Sequence, residues 1–301
     1  MRWRFLLALL PFVLGLFASV LIHFLGTSPV FFARADAAAL AVLAGAFLSS
    51  LLAAGLGVSG LLERVRRTSL AQAQTQAAAD RRRFLQRLDH ELKNPLTALR
   101  AALANLAEAS AEEDRCKALR DMEGQIQRLS RLVSDLRKLA ELETRPIEHT
   151  PIDLNGLLEE ALALARERPE AADRHLTLTL PRAPWPLPAI TGDRDLLLLA
   201  VHNLLDNALK FTRPGDTVEL RAFEDGTTVV VEVADTGPGI PEEEVPHVWE
   251  ELYRGQGARG TPGSGLGLAL VRAIVLRHGG QVSLRSRFGQ GTVVTLRFPT
   301  R

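Results

Sequence analysis

The sequence predicts a multidomain chain with three parts. An N-terminal transmembrane helical hairpin leads, a second helical hairpin pairs with a copy of itself into a four-helix bundle, and a C-terminal α/β sandwich follows. Three patterns carry this reading. Two long stretches near the N-terminus are almost free of charge. Leucines then recur every three or four residues, at Leu85, Leu88, Leu92, Leu96 and Leu99, around a histidine, His90. Beyond Arg145-Pro146 the pattern changes to short alternating strands mixed with amphipathic helices.

Composition narrows the class. At 301 residues the chain has room for about two domains. A formal net charge of +1 provides no global electrostatic case for direct nucleic acid binding. The single cysteine, Cys116, excludes a disulfide framework and a cysteine-ligated zinc site, and it fits a reducing compartment.

The membrane segment comes first. Phe5 to Leu25 has no charge unless His23 is protonated, and Ala37 to Leu62 has none. Each exceeds the ~20 apolar residues a helix needs to cross a bilayer. The loop between them, Gly26 to Asp36, is too short to fold as a domain. Arg2 and Arg4 precede the first span and Arg64, Arg66 and Arg67 follow the second, whereas the loop has Arg34 alone. The positive-inside rule therefore places both termini in the cytoplasm. A cleaved signal peptide ending at Ala33-Arg-Ala35 is the competing reading; the first apolar stretch is longer than the ~7–15 residues of a signal core, which argues against it.

The cytoplasmic part opens with Glu63 to Arg83, polar and free of proline and glycine, expected as a signalling helix linking residues 1–62 to a hairpin at 84–145. The His90 helix is expected to reach about Ala109, with a polar corner at Ala111–Arg115. A second helix, to about Glu143, carries Met122, Ile126, Leu129, Val133, Leu136 and Ala140 in alternating four-three spacing, a heptad seam. Such a hairpin cannot bury its seam alone, so dimerisation into a four-helix bundle is expected. A monomeric hairpin packed on the next domain is the alternative.

Residues 146–301 form the sandwich. A linker runs through Arg145-Pro146 to Thr150-Pro151. Helices are expected at Leu157–Arg168, Asp193–Phe211 and Leu266–His278. Strands are expected at His175–Leu180, in a hairpin of Val218–Phe223 with Val229–Ala234, and in a final hairpin of Gln281–Ser286 with Thr292–Phe298. Helices with largely antiparallel strands make a two-layer architecture.

Within that frame the polar residues are unusual. Asn203, Asn207 and Lys210 share one helix face at i, i+4 and i+7, where amide oxygens suit Mg²⁺ and an ammonium suits phosphate; a solvated face is the plain alternative. Asp235-Thr-Gly237-Pro-Gly239 follows a strand, so a carboxylate stands at the strand end before a turn that glycine permits to approach a flat ligand. Gly263-Ser-Gly265-Leu-Gly267 opens a helix after a glycine-laden segment, an anion site under a mobile cover. Neither cluster is a Rossmann fingerprint, since Glu242 and Leu268 stand where its third glycine would be. His90 itself lies beside Glu91, one turn ahead of Asn94-Pro95.

In order, His90-Glu-Leu-Lys-Asn-Pro, Asn203-x-x-x-Asn207, Asp235-x-Gly-x-Gly, Trp249-x-x-Leu252-Tyr253-Arg254 and Gly263-x-Gly-x-Gly resemble the H, N, G1, F and G2 boxes of sensor histidine kinases. The resemblance extends over nearly everything after residue 84. It implies a phosphotransfer bundle and a sandwich of the GHKL, or Bergerat, ATPase type. It also implies ATP as substrate with Mg²⁺, and autophosphorylation of His90 followed by transfer to an aspartate of a response regulator. That regulator is expected to be a separate protein, because the sequence ends just past the last strand.

By the resemblance, His90 is the phosphoacceptor, Glu91 takes or orients the imidazole proton, and Asn94 orients water for dephosphorylating the regulator. Asn207 is the Mg²⁺ ligand with Asn203 assisting, and Lys210 is on phosphate. Asp235 reads the adenine amine above Gly237 and Gly239. Gly263, Gly265, Gly267 and Leu268 form the lid hinge and phosphate contact. Tyr253 and Arg254 complete the nucleotide set, with Arg254, and more weakly Arg259, facing the γ-phosphate. The F box departs from the usual two phenylalanines, holding Trp249 and Leu252. The implied location is the bacterial inner membrane, multi-pass, with lipid contact. Sensing is expected within the membrane or through a partner membrane protein. A GHKL-type membrane ATPase that uses ATP as a conformational clamp is the rival function.

Overall fold

The computed structural model describes residues 2–25, 37–108, 111–181, 187–258, 260–261 and 263–300. The chain divides into two compact units, Met1–Arg82 and Arg83–Arg301.

In the first unit, helix α1 (Arg2–Phe24) crosses the start of helix α2 (Ala37–Glu108). Two glycines sit where the helices meet. A Cβ on Gly15 would lie 2.8 Å from the Ala41 carbonyl oxygen, and one on Gly45 would lie 2.7 Å from that of Pro11. Small residues at such points let helix backbones approach within van der Waals contact in an apolar setting. Among the described residues, one helix (38–108) is long and apolar enough to cross a membrane, with a best window of mean hydropathy 2.1; Pro11–Phe24 is a shorter apolar helix. The expected outer loop, with Arg34 and Ala33-Arg-Ala35, lies outside the described residues.

Helix α2 joins the three consecutive helical segments expected at 37–62, 63–83 and 84–109. It runs 72 residues, through the expected linker and past Pro95 to Glu108, with no break at the anticipated boundaries. Helix α3 (Glu112–Thr144) begins with Glu112, Glu113 and Asp114 in its first turn, where carboxylates favour the positive end of the helix dipole. It stops before Pro146, whose ring disfavours helical geometry at Arg145.

The expected seam on α3 divides in two. Met122, Leu129 and Leu136 are half-buried, whereas Ile126 and Val133 are exposed, in line with Leu119. Leu85, Leu96 and Leu103 are exposed on α2. A further row on α3, Leu132, Leu139 and Leu142, packs on the sandwich domain.

The sandwich has a five-stranded sheet of order β2-β4-β5-β7-β6, formed by β2 (His175–Thr179), β4 (Thr217–Asp225), β5 (Thr228–Asp235), β6 (Gln281–Arg287) and β7 (Gly291–Pro299). All neighbours are antiparallel except β2 with β4, which are parallel. A separate two-stranded sheet joins β1 (Thr150–Ile152) to β3 (Ile190–Gly192), so the expected linker ends in a strand.

Alternation places Leu220, Val233 and Val294 in one row across the sheet, and Ala222, Val231 and Leu296 in the next. Both rows are buried beneath α4 (Leu154–Arg166), α5 (Arg194–Phe211) and α6 (Gly267–Arg277). Leu157, Leu158, Leu205 and Ile274 are fully buried, each contributing about 1.5–3 kcal/mol through removal of apolar surface from water. Asp153 and Asp193 start α4 and α5 as N-caps, accepting from the backbone N–H of Asn155 and Leu196.

Candidate nucleotide and phospho-acceptor site

Helix α5 is anchored by the buried face Leu197, Val201, Leu204, Leu205 and Ala208, which turns Asn203 and Asn207 to its half-buried side. They meet the start of α6. A Cβ on Gly267 would lie 3.3 Å from Oδ1 of Asn203 and 3.7 Å from Nδ2 of Asn207. Nδ2 of Asn203 donates to the Leu199 carbonyl at 2.8 Å, leaving its Oδ1 directed at this junction. Helix α6 has no side-chain cap at its N-terminus, so its first N–H groups and its dipole are available to an anion. Two distant motifs, the paired asparagines and the second glycine cluster, are therefore one site.

Lys210 lies on the same face, but its ammonium is paired with Asp206. Arg168 forms an ion pair with the other oxygen of Asp206 at 2.6 Å. His202 lies beside this pair, and burial together with the Arg168 charge pushes its pKa down. Lys210 would have to share its charge between Asp206 and any phosphate.

Asp235 ends β5. Burial raises its pKa, and the backbone N–H groups of Gly237 and Thr292 oppose the rise. Gly237 N–H donates to its Oδ1 at 2.9 Å, closing a tight turn. Gly239 has φ 67°, and a Cβ there would overlap the Arg287 carbonyl oxygen, so glycine is required. The turn is held from the β6–β7 end, where Ser286 Oγ accepts from Ile240 N–H at 2.7 Å and donates to the Gly291 carbonyl at 2.9 Å. Ser286, Gly291 and Thr292 were not foreseen as part of the site; the Gly289-Gln290-Gly291 turn between β6 and β7 was the available signal.

The segment between the glycine clusters packs onto the helical hairpin. Leu252, 4% exposed, joins Leu132 and Leu266 in a cluster lined by Phe84, Leu88, Leu92 and Leu136. Among the described residues Leu252 is the one non-glycine with positive φ, 59°, a conformation held by this burial. Trp249 packs against the sandwich core instead. Thus the two apolar positions of the F box anchor different domains. Arg87 of α2 reaches the same segment: it bonds Glu250 at 2.6 Å and the Glu251 carbonyl at 3.2 Å, and lies 5.5 Å from the Tyr253 ring centre. Burial opposes the charge on Glu250, but bonds from His247 and Arg87 lower its pKa on balance. Ser264 Oγ donates to Asp135 of α3 at 2.6 Å.

Other expected contacts are arranged differently. Arg254 donates to the carbonyls of Ala258 and Thr261 at 2.7 and 2.6 Å, so its guanidinium braces the lid loop. Leu268 packs on the core. Gly265, at φ 73°, backs onto the Tyr253 carbonyl, whereas a Cβ on Gly263 would meet nothing within 4 Å among the described residues. Arg259 lies outside the described residues.

His90 is exposed on α2. Its neighbours are paired: Asp89 with Lys93 at 2.6 Å, and Glu91 with Arg128 of α3 at 2.8 Å. Asn94 is exposed one turn on, next to the buried Pro95. Among the described residues, no three His, Cys, Asp or Glu side chains gather as a metal site.

An exposed histidine on a helical hairpin, joined to a sandwich with an amide-lined anion site and a half-buried carboxylate, defines a phospho-acceptor domain followed by a GHKL-type ATPase domain. Residues 80–145 match the family model of the His Kinase A (phospho-acceptor) domain. Residues 192–301 match that of the histidine kinase-, DNA gyrase B- and HSP90-like ATPases. The chain belongs to the sensor histidine kinase family.

It is 38% identical over 201 residues to the signal transduction histidine-protein kinase/phosphatase MprB of Mycolicibacterium paratuberculosis, covering 64% of this chain and 37% of that one. The MprB of Mycobacterium ulcerans is 34% identical over 260 residues, covering 81% and 50%. The chain thus spans half or less of the length of these curated relatives. Among solved structures, full-length ShkA in complex with AMPPNP is 30% identical with a TM-score of 0.52, over 71% of this chain and 45% of that one. The Acinetobacter baumannii histidine kinase AdeS shares the fold at 22% identity and a TM-score of 0.55, over 70% of this chain and 98% of that one.

Proposed function

We propose that the chain is a homodimeric kinase of the bacterial cytoplasmic membrane that phosphorylates its own His90 from ATP and passes the phosphoryl group to an aspartate of a separate response regulator. The observation that carries this reading is the convergence of Asn203 and Asn207 on the uncapped start of α6, in a chain whose hairpin presents an exposed His90. A triphosphate fits there because the helix start supplies N–H donors to its oxygens.

The amide oxygens of Asn207 and Asn203 are hard donors of the kind Mg²⁺ takes, and the two side chains would hold it. When bound, the ion neutralises phosphate charge. Asp235 accepts a hydrogen bond from the adenine amine, with Gly237 and Gly239 keeping the turn low beneath the ring. Lys210, Tyr253, Arg254 and the Gly263–Leu268 segment close over the phosphates, Lys210 and Arg254 exchanging part of their present bonds for phosphate oxygens. Glu91 takes the imidazole proton, so that the free ring nitrogen is the better nucleophile. Asn94, exposed one turn from His90, positions water for hydrolysis of the regulator's aspartyl phosphate to aspartate and inorganic phosphate; the kinase/phosphatase names of the relatives support this second activity.

The exposed stripe Leu119, Ile126 and Val133 on α3, with Leu85, Leu96 and Leu103 on α2, supports dimerisation through the hairpin. Exposed apolar side chains such as Phe17, Val20, Leu43 and Phe47, with the α1–α2 crossing at Gly15 and Gly45, support a two-span hairpin in lipid within residues 1–62. Arg64, Arg66 and Arg67 would then lie on the cytoplasmic side. A linker at 63–83, phosphotransfer at 84–145 and catalysis at 146–301 complete the organisation. The input reaches the spans from the membrane or from a partner membrane protein.

The test is incubation of the full chain, in detergent or lipid nanodiscs, with γ-labelled ATP and Mg²⁺. Acid-labile, base-stable label on the protein that disappears in His90→Gln is the expected result. ATP hydrolysis with no protein label would instead favour a conformational-clamp ATPase.

A further inference from the structure

Two carboxylates flank His90, and their partners differ in kind. Lys93 holds Asp89 from one turn along the same helix, on a surface open to solvent. Arg128 holds Glu91 from the opposite helix of the hairpin, through Nη2 to Oε2 at 2.8 Å, with the Glu91 side chain 19% exposed. The first pair is a local surface contact and follows α2 wherever it goes. The second ties the carboxylate to α3, so that its position is set by the hairpin as a whole. A guanidinium donates in fixed, planar directions, and its bond to a carboxylate sets orientation as well as distance. Only Oε2 is engaged; among the described residues Oε1 has no hydrogen-bond partner.

We propose that Arg128 is a positioning residue for autophosphorylation, gripping Oε2 of Glu91 so that Oε1 is presented to the imidazole N–H of His90. This rests on the kinase reading above and adds a third member to its nucleophile and base, the group that orients the base. In the step, the free ring nitrogen of His90 bonds to the γ-phosphorus of ATP. The bond from that phosphorus to the β–γ bridging oxygen breaks, and ADP leaves with the electron pair. The imidazole proton passes to Oε1 of Glu91 and then to water. Arg128 touches none of the reacting atoms. Without it the Glu91 side chain regains its rotamer freedom, and proton acceptance waits on a less populated orientation. Asp89, held on the outer face by Lys93, has no such tether to the hairpin.

The experiment measures initial rates of His90 labelling against ATP concentration for the full chain in nanodiscs, comparing wild type, R128M, R128K, E91Q and E91Q/R128M. R128M should lower the maximal rate about tenfold to a hundredfold, the scale of a misplaced catalytic group, with KM for ATP unchanged. R128K, which keeps a cation but not the fork, should recover part of the rate. E91Q/R128M should be no slower than E91Q. Wild-type rates in R128M, faster rates, or an equal fall in the E91Q background would each overturn the proposal. Helix content and dimer mass are checked alongside; if R128M loses either, R128Q takes its place. Absence of label in the wild type would instead count against the kinase reading.

Discussion

The sandwich and the helical hairpin are both rich in leucine but use their apolar residues differently. In the sandwich, Val218, Leu220, Leu205, Ile274 and Leu296 are sealed within one core between sheet and helices. In the hairpin, the apolar residues separate into three rows. One is half-buried between α2 and α3, one packs on the lid segment and sandwich, and one (Leu119, Ile126, Val133) is exposed at 53, 52 and 59%. A sheet covered by helices satisfies itself within one chain. Two helices have too many faces to do so, and the leftover row is where a second copy belongs.

The largest test of this contrast lies in the sandwich. Leu205→Ala, at a fully buried position, should cost about 2–5 kcal/mol in denaturant unfolding, because the cavity cannot collapse in a sealed core. The same truncation at Val133 should leave the unfolding of the monomer nearly unchanged. A different substitution there, Val133→Asp, should raise the dimer dissociation constant about a hundredfold or more, since an ionised carboxylate would be carried into an apolar seam. Light scattering should then report a monomer, while nucleotide binding to the sandwich stays at the wild-type level. A persistent dimer would shift the interface to another row.

Asp235 couples stability to function inside the sandwich. Because burial raises its pKa, folding favours the protonated form. Its favourable contribution is complete below the ordinary carboxylate range and is lost as pH rises through the raised value. Asp235→Asn should therefore leave the melting temperature of the nucleotide-free protein at neutral pH equal or higher. It should weaken ATP binding about tenfold to a hundredfold, because the amide oxygen stays on Gly237 N–H and the amide nitrogen, a donor, then faces the adenine amine. Wild-type affinity should fall on acidification at a pH above the usual carboxylate midpoint; calorimetry across pH measures both effects.

The smallest expected effect is at the contact joining the two regions. Arg87→Ala removes the bonds to Glu250 and Glu251 and the contact with Tyr253. For a partly exposed pair this should cost less than about 1 kcal/mol in global stability. Faster hydrogen exchange at residues 249–254 would be the clearer sign, and unchanged exchange there would assign the docking to Leu252 alone.

Local pattern made most elements legible. Periodicity placed α4, α5, α6 and both antiparallel hairpins within a few residues, because apolar spacing acts within one or two turns of its own position. The β4–β5 turn falls at Gly226-Thr227, inside the stretch 224–228 left between the expected strands, where glycine accommodates φ 62°. The helical character of α2 from the apolar stretch to about residue 109 was legible, since neither the end of that stretch nor Pro95 carries a signal strong enough to stop a helix whose faces are otherwise satisfied. The parallel pairing of β2 with β4 was missed, because alternation tells which face a strand shows but not which neighbour it takes.

The sequence by itself determined the chemistry present: a histidine beside a glutamate, paired asparagines, a carboxylate at a strand end, and glycines where backbone must turn tightly. Those identities and spacings are properties of single segments. Tertiary structure alone decided the partnerships. It set Asn203 and Asn207 against Gly267 and Arg168 on Asp206. It also seated Leu252 in the helical groove and placed Arg128 on Glu91. Each joins residues whose meeting depends on how helices and sheet pack, because hydrogen bonds and ion pairs act over a few ångströms of space whatever the distance along the chain.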